Sequence, residues 1–225
     1  MHEDSLAAMR LCKERYSKDL PQSGRVSILD VGAMDVNGSY RKLFSEPRFA
    51  YTGVDLGAGP GVDIVLENAY ALPFDDLSFD LVVSGQMLEH NEFFWLTFQE
   101  MVRVLKPDGL CFMIAPSRGE IHRYPADCYR FYPDGFRALA KYTSCQLIDC
   151  WIDRQNPWGD LTGVFRKRRV ADTEHFDTGT IETIGGPATE AINLAVKLER
   201  VKKRLRKTQA VLAETEAKHN AAERG

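Results

Sequence analysis

The chain has 225 residues, a formal net charge of −3 and 44% hydrophobic residues. That is enough for one domain with a packed core plus an appendage, and it lacks the basic excess of a general polyanion binder. Five cysteines without a C-x-x-C pair argue against a disulfide framework or structural zinc, and fit a reducing, cytoplasmic compartment.

The opening stretch "MHEDSLAAMRLCKERYSKDL" is charged and has no continuous apolar core, unlike a secretory signal. No run approaches the roughly 18 apolar residues that span a bilayer. Leu6, Met9, Cys12 and Tyr16 fall at helical spacing, predicting an amphipathic helix over residues 4–18 closed by Pro21 and Gly24. Strands are predicted at 25–31, 50–55, 62–66, 79–84 and 110–115, with two more at 145–153 and 161–167. Helical segments are predicted at 39–44, with Ser39 as N-cap, at 92–105, ended by Pro107-Asp108-Gly109, and at 133–143, with Pro133 at its start. Strands alternating with helices imply an α/β domain: a mostly parallel, seven-stranded sheet with helices on both faces. Ligands of such sheets bind beyond the carboxyl ends of the strands.

Beyond a linker at 169–187, Ala191, Leu194, Leu198, Val201, Leu205, Thr208, Leu212 and Thr215 recur at alternating steps of three and four. This heptad pattern predicts a coiled-coil-like helix within 188–225, pairing with a copy of itself or a partner helix through 191–215. Residues 191–221 carry eight Lys and Arg against three Asp and Glu, so the rest of the chain is acidic. The block Lys202 to Lys207 reads as a solvated face. Its seam lacks aromatics, so membrane-surface contact is not expected. The chain stops within a helical pattern, as a piece of a longer protein would.

Two loops compete as the cofactor cradle. "VDLGAGPG" (54–61) is rich in glycine, but the residues after it, "VDIVLENA", read as strand, and too little chain follows for a βαβ unit. "ILDVGAMDVNGSY" (28–40) follows a good strand and precedes a helical segment. Asp55 lies 25 positions beyond Asp30, close to the spacing at which an acidic residue meets ribose hydroxyls. The upstream loop is therefore read as the first cofactor loop, and the glycines of the second as turn residues.

"ALPFDDLSFDLVVSGQMLEH" followed by "EMVRVLKPDGLCFMIAPS" resembles the class I S-adenosylmethionine-dependent methyltransferases, over roughly residues 26–168. The resemblance implies a methyltransferase domain over 1–168, with its leading helix, and S-adenosylmethionine as cofactor. Asp30 and Gly32 match the start of the family's first loop; Met34 and Val36 stand where further glycines are usual. Asp55 would bind the ribose, and Leu56 would border the adenine. Asn68 and the Ala69 backbone N–H would meet the adenine edge. Gln86 would approach the methionine end. His90 would lie near the transferring methyl, as a base for an acceptor hydroxyl or as a structural hydrogen-bonding group; the residues leave both open.

The segment "SRGEIHRYPADCYRFYPDGF" (117–136) would lie over the acceptor. His122 is a second candidate base, and Arg123, Tyr124, Asp127 and Arg130 are candidate substrate contacts. The plain alternative is a surface loop packed by its own aromatics. Trp151 and Trp158 read as packing residues. No metal-ligand spacing is recognisable, so no metal is expected. The resemblance suggests O-methylation of a sugar or glycan hydroxyl, with a small metabolite as the other acceptor class. A nucleic-acid acceptor fits poorly with an acidic body. The rival class is a methyltransferase-like scaffold that no longer transfers methyl groups, motivated by Met34 and Val36.

Overall fold

The computed structural model describes residues 2–143 and 145–169 and, further along, 201–202, 205–206 and 208–209. In chain order the elements are α1 (Glu3–Tyr16), β1 (Val26–Val31), β2 (Phe49–Asp55), β3 (Ile64–Val65), β4 (Phe79–Gly85), α2 (Phe94–Val104), β5 (Leu105–Pro116), α3 (Pro133–Tyr142), β6 (Cys145–Ile152) and β7 (Asp160–Lys167). Short 3₁₀ turns lie at Ser17–Asp19, Tyr40–Phe44 and Leu88–His90. The sheet has seven strands in the order β3-β2-β1-β4-β5-β7-β6. β1 to β5 run parallel, and β7 is antiparallel to both its neighbours.

The central strands owe their place to near-continuous apolar runs, which a strand covered on both faces requires. Every residue of β4 is buried, as are Leu110 to Pro116 of β5. α2 turns Thr97, Phe98, Met101, Val102 and Val104 inward at steps of three and four. Phe98 meets Phe165 of β7 with ring centroids 4.8 Å apart. α3 starts on Pro133, whose missing N–H costs nothing in a first turn, and buries Phe136, Leu139 and Ala140. No helix among the described residues is long and apolar enough to cross a membrane.

Three predicted elements differ in extent. The 39–44 segment is a 3₁₀ turn, too short for a stable α-helix. The third strand is two residues long because Val62 N–H closes a turn onto Gly59 O and Asp63 is occupied by Arg41 and Gly53 N–H. α2 ends at Val104, before Pro107-Asp108-Gly109, because Leu105 turns extended and pairs with Phe79. The predicted helix break lies inside β5, where Asp108 takes a φ of 63°. Of the heptad positions, Val201, Leu205 and Thr208 are helical and exposed; the other heptad positions, the linker and its boundaries lie outside the described residues.

Ser39 caps the 3₁₀ turn as expected, its hydroxyl accepting from Arg41 N–H at 3.2 Å. Ser39→Ala removes that acceptor. Urea unfolding should show a loss of about 1 kcal/mol, the usual worth of a hydroxyl cap.

Candidate active site

The carboxyl ends of β1, β2 and β4 and the start of β7 bring the candidate residues together. Asp30, near the end of β1, is 1% exposed. Its Oδ2 accepts from Tyr51 Oη at 2.6 Å, while Oδ1 is buried with no hydrogen-bond partner. Burial pushes its carboxyl up to about 7, against the opposing pull of the Tyr51 hydrogen bond and of Arg41. Gly32 turns the chain out of β1 at a φ of +85°, and a Cβ there would sit 2.7 Å from Met87 Cβ. Only glycine fits both demands.

The loops after β1 and β2 are laced together. Asp55 accepts from Met34 N–H at 3.1 Å and Gly57 N–H at 3.2 Å, and Asp35 N–H donates to Pro60 O at 2.8 Å. The Met34 side chain fills the space over Gly57 and Gly59, where Cβ atoms would collide with it. The glycines of "DLGAGPG" make a turn, as the sequence reading expected, and Gly57 and Gly59 also make a bed for Met34, which it did not. Leu56 is 59% exposed beside this loop. Asn68 is exposed, and its Oδ1 accepts from Tyr70 N–H at 2.8 Å. Ala69 O accepts from Thr97 Oγ1 at 2.9 Å.

Beyond β4 the chain makes a tight turn, with Gln86 at a φ of 57°. Gln86 Nε2 donates to Asp160 Oδ1 at 3.0 Å. Asp160 is fully buried at the start of β7, and its Oδ2 lies 3.3 Å from His2 Nε2, just ahead of α1. Glu89 is fully buried as well, and neither carboxylate oxygen has a hydrogen-bond partner. Burial, with Asp160 nearby, pushes its carboxyl up to about 8.

His90 Nδ1 stands 2.6 Å from Ala126 O. A carbonyl can only accept, so Nδ1 carries the proton and Nε2 keeps its lone pair. Nε2 is 3.7 Å from Glu89 Oε1. Desolvation holds the His90 imidazole below its ordinary value near 6.5, so it is neutral at physiological pH.

His122 meets His90 edge to face with ring centroids 4.9 Å apart, and Trp158 at 4.5 Å. Arg130 grips Asp127 with two hydrogen bonds of 2.6 and 2.8 Å, and Asp127 Oδ2 accepts from His122 N–H at 2.7 Å. Arg130 holds the Asp127 carboxyl well below the usual carboxylate range. Asp127 and Arg130 thus brace the loop through each other. Arg123 and Tyr124 are exposed, Tyr124 at 65%, with its ring 6.3 Å from His90.

Residues 15–113 match the model of a methyltransferase domain family. The chain is 25% identical over 181 residues to a ubiquinone/menaquinone biosynthesis C-methyltransferase from Coxiella burnetii, covering 68% of each chain. It is 33% identical over 116 residues to an uncharacterised methyltransferase from a Mycobacterium species, covering 48% of this chain and 45% of that one. The fold is similar to that of the Burkholderia thailandensis 1,6-didemethyltoxoflavin-N1-methyltransferase, solved with S-adenosylhomocysteine. There the TM-score is 0.58 at 17% identity, covering 74% of this chain and 80% of that one.

Residues 15–113 are thus similar to a methyltransferase domain family, and the α/β body has the fold of S-adenosylmethionine-dependent methyltransferases.

The residues at the carboxyl end of β1 fit the S-adenosylmethionine of such proteins. A cationic ammonium suits the unpartnered, buried Oδ1 of Asp30, and Gly32 leaves room that a side chain would fill. Sequence reasoning missed four residues of this end of the methyltransferase: His2, Tyr40, Asp160 and Trp158. Tyr40 is fully buried, its hydroxyl 2.5 Å from Ser5 Oγ, and its ring occupies the space a Cβ on Gly85 would need. His2 and Asp160 sit in no local motif, Trp158 reads in the sequence as a packing residue, and Tyr40, the last residue of the 28–40 stretch, carries no signal of its own for a site role. They reach the site from the segment before α1, a 3₁₀ turn and the β6–β7 connection, and only the topology brings them in. Asp160, a charged residue opening an otherwise apolar strand, is the one signal that the sequence carried.

Proposed function

We propose that this methyltransferase transfers the methyl group to a hydroxyl oxygen of a small polar acceptor, and that a sugar ring is the acceptor the 117–132 loop fits best. The observation that carries the reading is His90. Its Nδ1 is tied to Ala126 O, and Nε2 keeps a lone pair at the carboxyl end of β4. Exposed Tyr124, and Trp158 beside His122, offer aromatic faces for the apolar side of a sugar ring.

The cofactor supplies an activated methyl on a sulfonium sulfur, so the protein's part is chiefly alignment. Asp55 and Asp30 would hold the two ends of the cofactor. The 117–132 loop, braced by Asp127 and Arg130, orients the acceptor. An acceptor oxygen that takes the methyl, while the carbon–sulfur bond breaks and its electron pair stays on the departing neutral thioether, would pass its proton to His90 Nε2. A second reading, C-methylation as in quinone biosynthesis, is supported by the relative that shares 68% of the chain.

The test is product analysis. The protein is incubated with labelled cofactor and separate panels of sugars, nucleotide sugars and quinols, and the products are resolved by mass spectrometry and carbon NMR. An O-methyl sugar supports the first reading; a ring C-methyl product overturns it for the second. The pH profile adds a check. Because desolvation lowers His90, the acid limb of kcat/KM should fall below pH 6.5. A limb above that value removes His90 as the base.

A further inference from the structure

We propose that Glu89, His90 and His122 form a divalent-cation site of the zinc type, with its open position toward the acceptor loop. The inference keeps from the reading above only the acceptor's place at this cluster; a bound ion would take the His90 Nε2 lone pair and, instead of that base, would acidify the acceptor hydroxyl. One ligand atom from each residue lies within 4.8 Å of the other two. Glu89 is the anchoring observation. A fully buried carboxyl group whose two oxygens both lack a hydrogen-bond partner is costly, and a cation that takes the place of its proton would relieve that cost. Arg130, the nearby guanidinium, turns its two terminal nitrogens to Asp127, and its Nε reaches no acceptor.

The donor set is two imidazoles and one carboxylate, the combination that holds zinc at sites that keep a place for an exchangeable oxygen ligand. His90 Nε2 and Glu89 Oε1 stand 3.7 Å apart. Two donors on a tetrahedral ion, each about 2.1 Å from it, lie about 3.4 Å apart, so this pair needs little adjustment. His122 must move further, and it is the residue free to do so, one-third exposed on a loop.

The surroundings also suit a metal. The His90 Nδ1–H to Ala126 O bond fixes the tautomer that leaves Nε2 to coordinate. Asp127 Oδ2 stands 3.4 Å from His122 Nδ1, a carboxylate behind an imidazole as in many metal centres. Adjacency of Glu89 and His90, with His122 32 positions further on, resembles no ligand spacing, which is why the sequence led to the expectation of no metal. An ion here would offer its open position to an acceptor hydroxyl, which chemically favours an acceptor with a second oxygen close by.

Cobalt(II) is the probe, since its visible absorption reports coordination number directly. The full chain is titrated with cobalt, then zinc, with stoichiometry by equilibrium dialysis. One equivalent with a four- or five-coordinate spectrum, displaced by zinc, is expected. His122→Ala and Glu89→Gln should each weaken binding at least tenfold while circular dichroism stays native; His122, being partly exposed, is the safer variant for folding. Binding that survives His122→Ala but is lost in His2→Ala puts the ion at Asp160 and overturns the proposal. No binding by the folded wild-type chain also overturns it. Methyl transfer undiminished in chelator, with no cobalt bound, sinks the metal site and leaves the proposed function standing. One equivalent of cobalt bound, with no hydroxyl acceptor methylated, supports the site and sinks the function reading alone.

Discussion

Asp55→Ala should weaken S-adenosylhomocysteine binding by about 100-fold, read by calorimetric titration. A hydrogen bond to a charged group is worth about 1.5–3 kcal/mol. Two such bonds to neighbouring ribose hydroxyls, if Asp55 makes them as proposed, would contribute at least about 3 kcal/mol, which is about two orders of magnitude in affinity. The carboxylate has a second task, since it also receives Met34 and Gly57 N–H and holds the two loops together. Asp55→Asn retains an acceptor oxygen and should lose less than the alanine variant. If Asp55→Ala is folded and binds the cofactor product as tightly as the parent, the ribose contact is wrong and the scaffold reading gains ground.

Asp30→Asn should change how stability depends on pH. Burial raises the Asp30 carboxyl from 3.8 to about 7 in the folded protein. The folded state therefore keeps a proton that the unfolded chain has already released. Its contribution to stability is complete below pH 3.8, declines as pH rises through the interval, and is lost above about pH 7. Three units correspond to about 4 kcal/mol. Asparagine carries no titrating proton and can still accept from Tyr51. Asp30→Asn should match the wild type in acid and exceed it by up to about 4 kcal/mol at pH 8, measured by urea unfolding across the series. A wild type whose stability does not fall between pH 5 and 8 would refute the raised carboxyl. The same group predicts that a cation arriving beside Oδ1 expels the proton. Binding heats below pH 7 should then vary with the ionisation enthalpy of the buffer.

The strands were legible because each is a short apolar run between turn signals, and the loop after β1 because Gly32 follows such a run directly. Choosing that loop over the richer glycine stretch depended on what came next in the chain, and the bed that Gly57 and Gly59 make for Met34 gives those glycines their own reason. The α2–β5 boundary was not legible. Leu105 is apolar and suits a helix or a buried strand equally, and its pairing with Phe79 across the sheet decides between them. In the candidate site, Asp55 and His90 stand in local motifs, whereas His2 and Asp160 are 158 positions apart and meet only in the folded sheet. The role of Arg130 was misjudged for a related reason. An arginine in a loop looks available to a ligand until its partner three residues away, Asp127, is seen to occupy it.

The position of β7 bears on when the protein becomes functional during synthesis. It is the last strand of the sheet to be made, yet it lies between β5 and β6. Until it leaves the ribosome, both neighbours expose an unpaired edge, and the edge of β5 is strongly apolar. Asp160 arrives with the same strand, so the contact that holds Gln86 cannot form before it. A nascent chain stopped before residue 160 would carry a nearly complete cofactor loop on a sheet with two open edges. Such a chain is a substrate for chaperones before it is an enzyme.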